Sequence, residues 1–181
     1  MARRRSTPES VAHKRLERAA ESSPGPVLDA AAAFLAVRQR SVAETRRRLL
    51  YLGYREELVE RVIGQLLELG YLDDAAFARS WIESRDRARP RGEVALRREL
   101  ALKGVPRNLI GEALEQRASS TEQPVDMAAA LRLLERRRSS IEREADPVRR
   151  RQKAYALLAR NGFDPETCRA AALSVAGQPS G

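Results

Sequence analysis

The chain is poor in the residues that most often carry chemistry. Its 181 residues include one histidine, His13, and one cysteine, Cys168. A single cysteine excludes an intramolecular disulfide, so the sequence does not read as a secreted, disulfide-stapled fold. Without a Cys/His cluster no zinc site is expected, and no other metal or cofactor is nominated. No apolar run approaches the roughly 18 residues that span a bilayer. The basic start, Met1 to Arg5, is not followed by an apolar segment, so a secretory signal is not expected. A phosphate-cradling Gly-x-x-x-x-Gly-Lys loop is missing, as is a Gly-x-Gly-x-x-Gly turn after a strand. These absences disfavour an enzyme, leave the catalytic set empty and make a cytoplasmic, membrane-free protein the simplest expectation.

Aromatic residues are also scarce, at 4%, whereas apolar residues reach 43% and charged residues 33%. Leu and Ala dominate the apolar set, and both fill helix faces at little cost in rotamer freedom. The net charge of +9 favours anionic partners: nucleic acid, an acidic protein surface or an anionic membrane. Leu58, Val59, Val62, Ile63, Leu66 and Leu67 form one broad stripe on a helix, and Phe77, Ala78, Trp81 and Ile82 repeat that pattern. No segment alternates apolar and polar residues with β-branched enrichment, so the class is all-α. Residues 1–28 read as a basic tail, expected to be disordered, because Val11 and Leu16 offer little to dock and Ser22-Ser23-Pro24-Gly25-Pro26 breaks any helix. Ser41 with Glu44 forms a capping box, while Asp146-Pro147 and Asp164-Pro165 place an N-cap before a proline.

Gly53, Gly104 and Gly162 stand where helices should end, and they reveal a repeat. Leu49, Leu100 and Leu158 lie four residues before them, and Tyr54, Val105 and Phe163 follow at once. The later positions keep step: Leu58, Leu109 and Thr167; Val59, Ile110 and Cys168; then Val62-Ile63, Ala113-Leu114 and Ala171-Ala172. The expectation is three tandem three-helix units, at 29–72, 73–117 and 118–177, before a short tail at 178–181. Their leading helices would span about 29–39, 73–88 and 124–142. Units this small have thin cores that neighbours must help to cover, so an elongated array that can curve is expected.

The arginine runs Arg46-Arg47-Arg48, Arg97-Arg98 and Arg149-Arg150-Arg151 all fall on the second helix of their units. Any one run reads best as a solvated face with i,i+4 ion pairs; recurrence at matched positions makes a basic binding surface an equal alternative. Arg136-Arg137-Arg138, beside Glu135, Glu142 and Glu144, reads as self-paired surface. Tyr51, Tyr54 and Tyr71 could stack on bases, but their places beside helix ends favour packing. Trp81 reads as an anchor between helices, Cys168 as a buried structural thiol, and Asp73-Asp74 as helix capping rather than a metal site. The second and third helices of each unit resemble a helix-turn-helix, although Glu56, Glu57 and Glu60 on the first would repel phosphate.

The segment Gly70-Tyr71-Leu72-Asp73-Asp74-Ala75-Ala76-Phe77-Ala78 resembles the signature joining the first two repeats of the RecX family, bacterial regulators of the RecA recombinase. Arg91-Gly92, Leu96-Arg97-Arg98-Glu99-Leu100 and Lys103-Gly104-Val105 resemble the family's second-repeat motif, and Tyr155 to Phe163 its third-repeat ending. The likeness covers about residues 29–176; the tail, and the charged stretch Glu135 to Asp146, depart from it. It implies a modular helical monomer that lies in the groove of the RecA–DNA filament. There it would inhibit ATP hydrolysis, strand exchange and coprotease activity, and so regulate DNA repair, recombination and the SOS response. Arg91 and Lys103 join the three runs as candidate partner-binding residues, the partner being the RecA filament and single- or double-stranded DNA, met directly or through RecA. An independent DNA-binding or architectural helical protein is the alternative.

Overall fold

The structure, a computed structural model, describes residues 8–119 and 124–176. The basic start at residues 1–7, the link at 120–123 and the end from 177 onward lie outside them. The described residues form eleven helices and no strand. The described residues divide into one compact unit of residues 8–77 with 103–105, and a second of residues 78–102 with 106–119 and 124–176.

The first unit holds α1 (Pro8–Ala20), α2 (Gly25–Leu35), α3 (Val42–Leu52) and α4 (Glu56–Glu68). It also holds the first turn of α5 (Asp74–Ala88). Its core joins Val27, Ala31, Leu49, Leu58, Val59, Val62, Ile63, Leu66 and Leu72, all nearly free of solvent. The ends of α3 follow directly from sequence. Ser41 Oγ accepts from the Glu44 amide at 3.0 Å, and the Glu44 carboxylate accepts from the Ser41 amide at 3.3 Å. At the far end Gly53 turns left-handed (φ 102°), its N–H donates to Leu50 O, and the Tyr54 N–H donates to Leu49 O. These are the two bonds of a Schellman ending.

The second unit holds the rest of α5, α6 (Glu93–Leu102), α7 (Arg107–Ser119), α8 (Val125–Arg136), α9 (Arg138–Glu142), α10 (Pro147–Arg160) and α11 (Pro165–Ala176). Its last core is unusually small-residue: Ala129, Ala130, Ala154, Ala171, Ala172 and Cys168 pack with Leu133, Leu134, Ile141, Leu158 and Phe163. Cys168 is fully buried, and that burial pushes its thiol pKa up.

Two expectations are corrected. Residues 8–28 are not an undocked tail: α1 is helical, and α2 begins at Gly25 rather than 29. Arg18 Nη1 donates to Leu52 O at 3.3 Å, its guanidinium lies 5.6 Å from the Tyr54 ring centre, and a Cβ on Gly53 would meet the Arg15 carbonyl at 3.0 Å. The docking is made by arginine stems and backbone, which a count of large apolar residues overlooks. The leading helix expected over 124–142 breaks at Arg137, which leaves helical geometry (φ −109°, ψ 8°), and buried Ile141 on α9 then closes over the core.

A recurring junction lies beneath the repeat. In the first unit Asp74 Oδ1 accepts from the Val42 amide at 3.0 Å, and in the second Asp126 Oδ2 accepts from the Glu93 amide at 2.9 Å. Both amides are the first of a middle helix, donors that the helix cannot satisfy itself. The carbonyls just before the turn glycines are met in the same way. Arg18 donates to Leu52 O, Ser41 Oγ to Lys103 O at 2.6 Å, and the Gly92 amide to Asn161 O at 3.1 Å. The backbones come so close that a Cβ on Gly92 would overlap the Gly162 carbonyl. Middle helix α10 differs: Pro147 has no first N–H to offer, and its own Asp146 caps Val148 at 2.9 Å.

Arg117 ties the second unit together. It is 8% exposed, binds both oxygens of Asp86 at 2.9 Å, and reaches Asp126, the capping residue, at 2.6 Å. Burial alone would lower its pKa, but those two carboxylates raise it above the ordinary arginine value. Removing one partner of such a buried network strands the others, at about 3 kcal/mol or more, whereas an exposed i,i+4 pair is worth at most about 0.5 kcal/mol. Arg117→Ala should therefore cost about 3 kcal/mol in urea denaturation, and Arg97→Ala less than about 0.5 kcal/mol.

Candidate partner-binding surface

The candidate cations separate into those occupied inside the protein and those that are not. On α3, Arg46 grips Glu60 with two bonds at 2.5 and 2.7 Å, which raises the arginine pKa and lowers that of the glutamate. Arg48 lies 5.9 Å from the Phe34 ring centre and 6.0 Å from that of Tyr51. Arg47 between them is exposed and has no ion pair among the described residues. On α6 the pattern repeats in the same register: Arg97 pairs with Glu93 at 2.8 Å, while Arg98 is exposed and has no ion pair among the described residues. Arg47 and Arg98 each stand six residues before their turn glycine, so the same register carries an unengaged cation twice.

Lys103 and Arg91 serve internal roles. Lys103 donates to Glu44 at 3.0 Å, where Arg38 also approaches at 3.4 Å. Burial by itself would raise the pKa of Glu44, but the Lys103 hydrogen bond, the Ser41 amide and nearby positive charge outweigh it and hold the carboxyl below its usual value. Arg91 donates to Asn161 Oδ1 and lies 3.4 Å from Glu99. Glu99 also accepts from the Trp81 indole at 2.9 Å and from Arg85 at 2.6 Å. Trp81 is thus the expected anchor between helices, tied through its polar edge. On α10, Arg149 lies 3.7 Å from Asp146, Arg150 donates to Glu144 O at 3.0 Å, and exposed Arg151 borders a cleft with Tyr155, Arg169 and Leu173.

Three readings change. Tyr54 packs as expected, its hydroxyl donating to Pro26 O at 3.2 Å, but Tyr51 and Tyr71 are 66% and 69% exposed. The guanidinium groups of Arg15 and Arg48 lie 5.9 and 6.0 Å from the Tyr51 ring centre. Arg138 is self-paired with Glu135 and Glu142, whereas Arg136 donates to the carbonyls of Arg87 and Ala88 at the end of α5. Asp73 caps its own helix at Ala76, but its neighbour Asp74 caps α3. Sequence reasoning does not single out Arg40. It stacks 4.1 Å from the Phe34 ring centre, its Nε is buried without a hydrogen bond, and burial together with Arg38 and Arg48 lowers its pKa.

The described residues define an all-helical protein of tandem three-helix domains with exposed arginines on α3, α6 and α10. Residues 73–114 match the family model described as the second three-helix domain of RecX, and residues 125–171 that of the third. Regulatory protein RecX of Prosthecochloris aestuarii is 35% identical over 82% of this chain and 93% of its own length. That of Chlorobaculum tepidum is 34% identical over 88% and 94%. The crystal structure of RecX from Lactobacillus salivarius superposes with a TM-score of 0.71 at 18% identity, over 84% of this chain and 96% of that one, a likeness of fold. The chain belongs to the RecX family, whose members carry the name of regulatory proteins. Among the described residues no helix is long and apolar enough to cross a membrane.

The Glu44 knot gives a pH prediction. A carboxylate with a lowered folded pKa adds stability above its unfolded pKa, about 4.3, and loses it as pH falls through the folded value. The stability difference between the parent and Glu44→Gln should therefore be largest above about pH 5 and shrink below about pH 4 in thermal melts.

Proposed function

We propose that the chain is a non-catalytic regulator of the RecA recombinase, built from three tandem three-helix repeats. It acts as a cytoplasmic monomer, binding the RecA–DNA filament and lowering its ATPase, strand-exchange and coprotease activities. Support comes from family membership together with one observation. Arg47 and Arg98 occupy the same register in two repeats, both exposed and both without an ion pair among the described residues, while their neighbours Arg46 and Arg97 pair with Glu60 and Glu93. Cations held at a fixed register suit a partner that is itself a repeat, because weak contacts to successive subunits sum through effective concentration. Guanidinium groups fit either partner chemistry, since their planar fork pairs with carboxylate or phosphate.

This narrows the candidate set. Reversing Arg46 would set two carboxylates against each other at Glu60 and confound binding with stability, so Arg47 and Arg98 are the informative positions. Substoichiometric amounts of the parent protein should depress RecA ATPase on single-stranded DNA. Arg47→Glu with Arg98→Glu should raise the half-inhibitory concentration about tenfold, equivalent to about 1.4 kcal/mol, while leaving helicity and Tm unchanged. Unaltered inhibition by the doubly reversed protein would place the partner surface elsewhere.

A further inference from the structure

The unengaged arginines of α3 and α6 each have a large side chain beside them that also stays in water. One turn after Arg47 comes Tyr51, 66% exposed, and one turn after Arg98 comes Leu102, 69% exposed. Residues four apart share a helix face, so guanidinium and apolar group are neighbours on the surface. On α6 the stripe is longer, because Val94, one turn before Arg98, is 64% exposed. Counted from the turn glycines, Tyr51 and Leu102 hold one register, two residues before Gly53 and Gly104. The third repeat departs from it: six and two residues before Gly162 stand Ala156 and Arg160. Two repeats of three therefore carry the same pair, an unpaired cation with an exposed apolar neighbour.

We propose that each pair is a contact for a protein surface that presents a carboxylate beside apolar side chains. The inference rests on the recombinase reading and sharpens it: these faces of α3 and α6 meet the protein subunits of the filament, not its DNA. Two features select protein over nucleic acid. A platform for bases needs a π-face, yet the register that holds Tyr51 in one repeat holds Leu102 in the next. What the two repeats share is apolar area, not a ring. Apolar area stabilises a complex by leaving water against other apolar groups, and a phosphodiester backbone sets charged oxygen there instead. A carboxylate with apolar neighbours satisfies both halves of the pair, since guanidinium binds it through two parallel N–H bonds. Arginine and tyrosine are also enriched at protein interfaces. Around Tyr51 the preference for an acidic partner is reinforced by Arg15 and Arg48, both near its ring.

The test changes the apolar half of each pair and leaves every charge in place. Two quantities are read for each full-length variant: the half-inhibitory concentration for RecA ATPase on single-stranded DNA, and the Kd for a labelled oligothymidylate without RecA. Tyr51→Ser with Leu102→Ser should raise the first at least about tenfold, as loss of two interface anchors does, and leave the second within about twofold. Tyr51→Leu alone should leave both within about twofold, because leucine supplies apolar area without a ring. Val37→Ser with Val148→Ser, 76% and 54% exposed and off these faces, should also leave both within about twofold, as surface changes away from a contact do. All these side chains are exposed, so the variants should melt with the parent. A parent that never inhibits RecA would overturn the recombinase reading and this contact with it. Inhibition by the parent and equally by the serine pair would overturn the contact alone. Equal weakening on the bare oligonucleotide would assign these faces to DNA, and a loss in Tyr51→Leu as large as in the serine pair would assign Tyr51 to stacking; either result contradicts the proposal. So would an equal loss in the valine control.

Discussion

The structure depends on how a helix disposes of the first amide it cannot bond for itself. At α3 and α6 that amide is accepted by an aspartate from the next leading helix, Asp74 or Asp126, at about the usual hydrogen-bond distance. A second bond, from the N-cap residue to the carbonyl ahead of the next repeat's turn glycine, ties the same helix start to the end of the next middle helix. The bonds differ in chemistry, hydroxyl at Ser41 and backbone at Gly92, yet join equivalent positions. The cores are small and the last is rich in alanine, so directional bonds must supply much of the specificity that a larger apolar interface would give. The same geometry explains the terminal elements. Arg18 of α1 supplies the donor for Leu52, and Pro147 removes the amide that a further aspartate would have capped.

This arrangement sorts the positive charge. Arginines close to a junction or a facing helix are drawn into it: Arg117 by Asp86 and Asp126, Arg46 by Glu60, and Arg91 by Asn161 and Glu99. Exposed arginines that no internal carboxylate reaches among the described residues, Arg47 and Arg98 among them, are the ones available to a partner. Net charge alone describes an affinity for anions in general. The partition gives that affinity positions.

The fold was largely legible in the sequence. Leu49, Leu100 and Leu158 are each fully buried, and Gly53, Gly104 and Gly162 all take positive φ, so the shared register reported real packing. Hydrophobic periodicity senses side chains that leave water, and for that reason it passed over α1, which docks through arginine stems and backbone carbonyls. It also ran one helix through Arg137, because nothing in the apolar pattern marks a break there. The surface was less legible. Arginine runs show where charge is dense but not which members are spent internally, since Glu60 lies fourteen residues from Arg46 and Asn161 seventy from Arg91. Asp74 was read as a cap with its target missed, because the amide it serves lies thirty-two residues upstream.

The most direct test is native-state hydrogen exchange at the amides of Val42 and Glu93. First-turn amides normally exchange quickly because they have no helical acceptor. If Asp74 and Asp126 cap them as described, both should be protected to about the level of the buried helix interiors around Leu49 and Leu100. Exchange at the rate of a frayed helix start would contradict the shared caps, and with them the account of how the repeats are joined.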